Sequence, residues 1–157
     1  MTPVNLEIDL FGQEPHEFTD LVMDFTGTLS LDGKLLPGVA DRLVRLAKDL
    51  RITILSADTF GTVEKELAGL PVEVHLIRTG DEKADFVKRL GASLVISIGN
   101  GRNDVGMMLT AGLGIIVVGS EGAAGEVLLT ADIVVRDILD ALDLITNPLR
   151  AKATMRD

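Results

Sequence analysis

The chain carries a carboxylate at the end of an apolar run, followed by hydroxyl residues on either side of a glycine. Residues 22–29, VMDFTGTL, deliver Asp24 into a turn that holds Thr26, Gly27 and Thr28. Taken alone, Asp24 reads equally well as a strand end that accepts hydrogen bonds from its own turn, or as a nucleophile in a phosphate pocket. A glycine three places on permits a backbone approach that a side chain would obstruct. The threonines can brace the turn or bind phosphate oxygens. Two later apolar runs also end in polar residues: SAD at 56–58 brings Ser56 and Ala57, and GNGRND at 99–104 brings Asn100, Asn103 and Asp104. Between them Lys83 opens an expected helix, with Asp81 as the expected N-cap. A lysine there opposes the helix macrodipole, which suits a bound anion. Singly, Ser56 is a common strand-end hydroxyl, and Asn103 and Asp104 are ordinary caps. The ordered set asks for a common cause.

These residues need elements that bring them to one edge. VNLEIDLF alternates as a half-exposed strand, Gly12 to Pro15 reads as a turn, and Glu17 to Asp24 returns beside it as an N-terminal hairpin. Beyond it, helical spacing (Val39, Leu43, Leu46, Ala47, Leu50) alternates with short apolar runs at 52–55, 72–77, 94–98, 115–118 and 133–135. Helices are expected at 62–68, 82–90, 104–111 and 123–129, with a closing one at 138–146. Near-continuous apolar strands alternating with helices predict an α/β fold, a Rossmann-like three-layer α/β/α domain with a mostly parallel sheet. In that architecture ligands bind at the carboxyl ends of the strands, where the polar clusters fall. One domain over 1–157 is expected, with residues 1–20 as a hairpin extension and 29–37 as a small flap turning at Asp32-Gly33.

Composition narrows the field. With 46% apolar residues but only 3% aromatic, and no Trp or Tyr, the core must be mostly aliphatic. A net charge of −9 argues against nucleic acid or an anionic membrane as partner. The absence of Cys removes disulfides and thiolate metal sites. No signal-peptide pattern or membrane span is read, so a cytoplasmic protein is expected. His16 and His75 have no partner motif and read as structural or surface residues.

With the clusters in place, the chain resembles the haloacid dehalogenase superfamily, and within it the phosphorylation domain of P-type ATPases and the small soluble P-type ATPase-like proteins. DFTGT at 24–28 is similar to DKTGT, SAD at 56–58 to TGD, Lys83 to the lysine that precedes the last motif, and GNGRND at 99–104 to GDGxND. GLGIIVVG and ADIVV continue the likeness toward the C-terminal helix. The resemblance implies that Asp24 takes a phosphoryl group as an aspartyl phosphate. It implies Mg²⁺ between Asp24, the Thr26 carbonyl and residue 100, with Asp104 holding Lys83 or a metal-bound water. It gives Gly27, Thr28, Ser56, Ala57, Lys83 and Asn103 to the phosphoryl oxygens.

Two residues depart from that pattern. Thr26 stands where phosphatases of the superfamily place an aspartate that shuttles protons, and Asn100 stands where the metal ligand is an aspartate. Slow dephosphorylation and weak Mg²⁺ binding are the expectations. Residues 29–55 leave no room for a nucleotide-binding domain, so neither an ion pump nor an ATPase is expected. A capless phosphatase or phosphotransferase leads, acting on a small phosphorylated molecule or a phosphorylated macromolecule. A weakly catalytic or non-catalytic phospho-ligand module is the rival. A receiver domain is a weaker third reading, since receivers carry an acidic pair on their first strand. If the chain forms a homo-oligomer, the exposed face of the hairpin is the place for the contact.

Overall fold

A computed structural model describes residues 5–10 and 15–156; the expected turn at Gly12 to Pro15 lies largely outside them. Strands β1 (Leu6–Ile8) and β2 (His16–Phe18) pair antiparallel as the expected hairpin. The returning strand is shorter than expected. At Thr19 the backbone changes partners: its N–H donates to the Leu94 carbonyl at 2.9 Å and its carbonyl accepts from Arg51 N–H at 3.0 Å. Strand β3 (Asp20–Asp24) then begins in a different sheet.

That sheet has six strands. After β3 the chain forms the two-residue strands β4 (Ser30–Leu31) and β5 (Lys34–Leu35), then α1 (Val39–Leu46), β6 (Arg51–Ser56), α2 (Val63–Glu66) and β7 (Glu73–Leu76). It continues through α3 (Gly80–Leu90), β8 (Val95–Gly99), α4 (Val105–Thr110), β9 (Leu113–Val117), β10 (Ile133–Val135), α5 (Ile138–Thr146) and α6 (Pro148–Met155). The spatial order is β10-β9-β8-β3-β6-β7, and every pairing is parallel. The expected mostly parallel sheet is thus present, with each of its pairings parallel. From β3 the chain moves out to β7 on one side, then crosses back to β8 and runs out to β10. The crevice of such a sheet opens where the direction reverses, between β3 and β8.

Strand side chains alternate between two cores. Leu21, Met23, Ile52, Ile54, Ile96, Ile98, Leu113 and Ile115 face the side covered by α1, α5 and the hairpin. Val22, Leu55, Val95 and Ile116 face α3 and α4. Burial of both faces explains why the strands read as apolar runs rather than as alternation. Two local expectations change. The segment Gly125–Thr130 is a 3-10 stretch and not an α-helix. After α5 the chain forms a further helix, α6, with Pro148 in its first turn, where a missing N–H costs nothing. Lys152 of α6 pairs with Asp9 beyond β1 at 3.1 Å.

The flap is the hairpin β4–β5. Asp32 and Gly33 both have positive φ (53° and 78°), as a two-residue turn of this hand requires. The flap is held on both sides: Thr62 Oγ1 donates to the Gly33 carbonyl, Leu35 N–H to Glu66 at 2.9 Å, and Asp32 N–H to Glu121 at 3.3 Å. Among the described residues no helix is long and apolar enough to cross a membrane.

Candidate active site

Asp24 is the last residue of β3, in register with Leu55 of β6, and its neighbour Met23 faces Ile98 of β8. The carboxylate therefore stands at the reversal point, with Ser56 one step further along β6 and Asn100 just past β8. Lys83 reaches it from α3. The cap of α3 is Thr79, whose hydroxyl accepts Glu82 N–H at 3.2 Å; Asp81, the expected cap, lies inside the first turn. Starting the helix at Gly80 puts Lys83 in its first turn, and glycine is required there. A Cβ on Gly80 would sit 2.8 Å from the Asn103 carbonyl oxygen, so only a bare backbone lets α3 close on the Asn100–Asp104 loop.

The result is a buried cation between two carboxylates. Lys83 Nζ donates to Asp24 Oδ1 at 3.1 Å and to Asp104 Oδ1 at 2.8 Å, with Asn103 Oδ1 at 3.4 Å. Its side chain is 1% exposed and that of Asp104 is fully buried. Asp104 Oδ2 accepts the N–H groups of Asn100 and Gly101 at 3.0 and 2.9 Å. One carboxylate thus caps its own loop and holds the lysine.

Burial pushes the Asp24 carboxyl up to about 7, the charge of Asp104 adds to the rise, and Lys83 opposes it. For Lys83 burial acts downward, but Asp24 and Asp104 outweigh it and hold the ammonium above its ordinary value.

The remaining expected residues fall around this triad. Gly27 has φ of 74°, and a Cβ there would collide with the Asn100 amide. Thr28 Oγ1 donates to Asn100 Oδ1 at 3.3 Å, and Asn100 Nδ2 donates to the Gly122 carbonyl at 3.1 Å. Ser56 Oγ accepts Asp58 N–H at 2.9 Å and is buried, which leaves its own proton to donate. Ala57 is exposed at the rim, and Thr26 bridges Ser30 at the root of the flap. Ser56 makes no hydrogen bond to the lysine–carboxylate triad, so its place in the site rests on strand register alone.

Two participants escaped the sequence reading: Gly80, which admits the helix, and Gly122, whose carbonyl fixes the Asn100 amide; Asp58, the last residue of SAD, is held at φ 55° with its Oδ1 accepting Val63 N–H at 3.1 Å. Only the TGDE run at 79–82 offered a signal, as a capping box for α3.

The donor set fits a hard divalent cation. Asp24, the Thr26 carbonyl and Asn100 Oδ1 are all oxygen donors, although only one carries charge. No group of three or more His, Cys, Asp or Glu with metal-binding geometry occurs among the described residues. A metal here would depend on main-chain and amide oxygens.

No family model matches the chain. Over 63 residues, 40% of this chain and 68% of the relative, it is 56% identical to the uncharacterized protein MJ0073 of Methanocaldococcus jannaschii. Among solved structures, a protein described as a HAD family hydrolase from Streptomyces avermitilis superposes with a TM-score of 0.68 at 21% identity, over 87% of each chain. The 3-deoxy-D-manno-octulosonate 8-phosphate phosphatase of Moraxella catarrhalis, solved with magnesium, phosphate and KDO, gives 0.63 at 17% identity, over 87% of this chain and 90% of that one. A zinc-transporting PIB-type ATPase gives 0.63 at 24% identity, over 76% of this chain and 20% of the pump.

The raised Asp24 carboxyl has a consequence for stability. The fold holds a proton that the unfolded chain releases between the ordinary carboxylate range and about pH 7, so stability falls as pH rises across that window. Asp24→Asn should therefore stabilise the protein at pH 8, seen as a higher Tm than the parent chain. The difference should vanish near pH 4, where both forms are neutral at this position. Thermal melts across that range check it, and a gain independent of pH would assign the stabilisation to something other than the buried charge.

Proposed function

Because this chain belongs to one family with the Methanocaldococcus jannaschii protein and has the haloacid dehalogenase fold, we propose that it is a slow Mg²⁺-dependent phosphatase acting through an aspartyl phosphate on Asp24. The observation that carries this reading is the buried Lys83, hydrogen-bonded to both Asp24 and Asp104 at the reversal point of the sheet. A structural lysine has no need of that place, whereas a phosphoryl group beside the nucleophile does. The solved neighbours support the class of chemistry, one of them being a phosphatase with magnesium and phosphate bound.

In the proposed reaction an Asp24 oxygen attacks phosphorus in line, an acyl phosphate bond forms, and the bond to the leaving oxygen breaks. Lys83, the Ser56 hydroxyl and main-chain N–H groups around Gly27 and Ala57 receive the charge on the phosphoryl oxygens, with Thr28 and Asn103 bordering them. Asp104 positions Lys83. Asp24, the Thr26 carbonyl and the Asn100 amide oxygen would hold Mg²⁺, whose charge favours ionised Asp24 and offsets that of the transferring group. Water then attacks the phosphorus, releases phosphate and restores the carboxylate. Thr26 cannot take a proton from that water near neutral pH, so the second step is the slow one.

The substrate is a small phosphorylated molecule or a phosphorylated group on a macromolecule in the cytoplasm, since between β3 and α1 the described residues form only the two-stranded flap and no larger cap. Thr26 and Asn100 also favour a second reading, a phospho-ligand module with little turnover. Incubation with Mg²⁺ and p-nitrophenyl phosphate or acetyl phosphate separates the two, with Asp24→Asn as the control. Release of phosphate that the control lacks is expected. An alkali-labile phosphoprotein without turnover would identify a phospho-acceptor, and neither signal would leave the binding module.

Restoring the aspartate should speed the slow step. Thr26→Asp is expected to raise the dephosphorylation rate by ~10²–10⁴, the range typical of general acid–base help. An unchanged rate in single-turnover assays would remove proton transfer as the limiting factor. Asn100→Asp should tighten Mg²⁺ on the order of tenfold by adding an anionic ligand. Calorimetric titration checks this, and an unchanged affinity would show that residue 100 does not touch the metal.

A further inference from the structure

Behind the Thr28 turn, on the β9–β10 side, the flap roofs a pocket of about 110 Å³. Leu31 and Leu36 of the flap form one wall, and Val117 and Ile138 another. Its polar rim carries Glu121, Arg136 and Asp137. Both acids have backbone partners: Glu121 accepts Asp32 N–H at 3.3 Å, and Asp137 caps α5 by accepting Leu139 N–H at 2.7 Å. The hydroxyls are also engaged, Thr28 with Asn100 and Ser30 with the Phe25 carbonyl at 3.0 Å. Arg136 is different. Among the described residues its exposed guanidinium has neither an ion pair nor a hydrogen bond, unlike the two acids beside it in the pocket.

We propose that this pocket is a second ligand site, selective for a small organic carboxylate whose charge meets Arg136 and whose carbon body rests on Leu36 and Ile138. A planar carboxylate matches the guanidinium fork. The volume sets the size: a cavity of about 150 Å³ takes a benzene ring, so roughly four to six non-hydrogen atoms fit here. The pocket adjoins the proposed phosphoryl site and shares Gly27 and Thr28 with it. Its floor is Thr28, whose hydroxyl is hydrogen-bonded to Asn100, and its roof is the flap over the crevice. An occupant would therefore brace the flap and the Asp24 turn together. Nothing in this assignment requires Asp24 to be phosphorylated.

Thermal melts with lactate and with its neutral analogue lactamide test it on the intact chain. Lactate at ten times its Kd should raise Tm by about 3 °C, and lactamide should not. The shift should disappear in Arg136→Gln, which removes an exposed side chain and leaves the core intact, and should persist in Ser56→Ala. The proposal is overturned if lactate gives no shift, if lactamide matches it, or if Arg136→Gln keeps it. Loss of the shift in Ser56→Ala would also overturn it, because the anion would then occupy the phosphoryl site. Absence of phosphatase activity in the same preparation leaves this result untouched, so the two ideas fail separately.

Discussion

One buried ammonium group organises the functional edge of this protein. A lysine excluded from water is tolerated only with partners that return the lost solvation, and here Asp24 and Asp104 do so from two adjacent strand ends. The arrangement leaves one more negative charge than positive when all three groups are ionised, and burial concentrates that imbalance on Asp24. Its carboxyl is raised first by burial and then by the charge of Asp104. In the proposed chemistry a divalent cation would favour the ionised form.

Topology makes the triad possible. β3 and β8 are neighbours in space although β6 and β7 intervene in the chain, so residues 24 and 100–104 meet across the crevice. The lysine comes from the helix that connects β7 to β8, and Gly80 lets that helix approach within reach. Each contribution is cheap locally, a strand end, a helix start and a glycine. Their convergence depends on the parallel sheet between two aliphatic layers, which holds the strand ends rigid.

In the proposed chemistry, Thr26 and Asn100 would bias this site toward retention rather than rapid turnover. Asn100 is fixed by Thr28 on one side and Gly122 on the other, so its amide is an ordered oxygen donor without charge. Thr26 sits at the root of the flap, against Ser30, where no side chain of its type can move a proton near neutrality. The same flap roofs the pocket beside Arg136. Phosphoryl chemistry and a second anion would thus share one hairpin as a common wall.

Much of this was legible in the chain before folding. Apolar runs buried on both faces announced the parallel sheet, and polar residues at their ends marked Asp24, Ser56 and the Asn100–Asp104 loop as one edge. Asp32-Gly33 announced the flap turn, because few residue pairs accept two positive φ angles. Other features were hidden for definable reasons. The break at Thr19 depends on which carbonyl its N–H finds, α6 follows an Asn-Pro pair that locally signals only a turn, and Thr79 displaces Asp81 as cap because α3 must begin earlier to meet Asn103. Residue types and their order determined which groups could do chemistry. Only the tertiary structure decided that Lys83 and Asp24, 59 residues apart, would share a hydrogen bond in a buried site. It also decided how far Asp24's proton affinity would rise, because desolvation and the nearness of Asp104 exist only once the layers have packed.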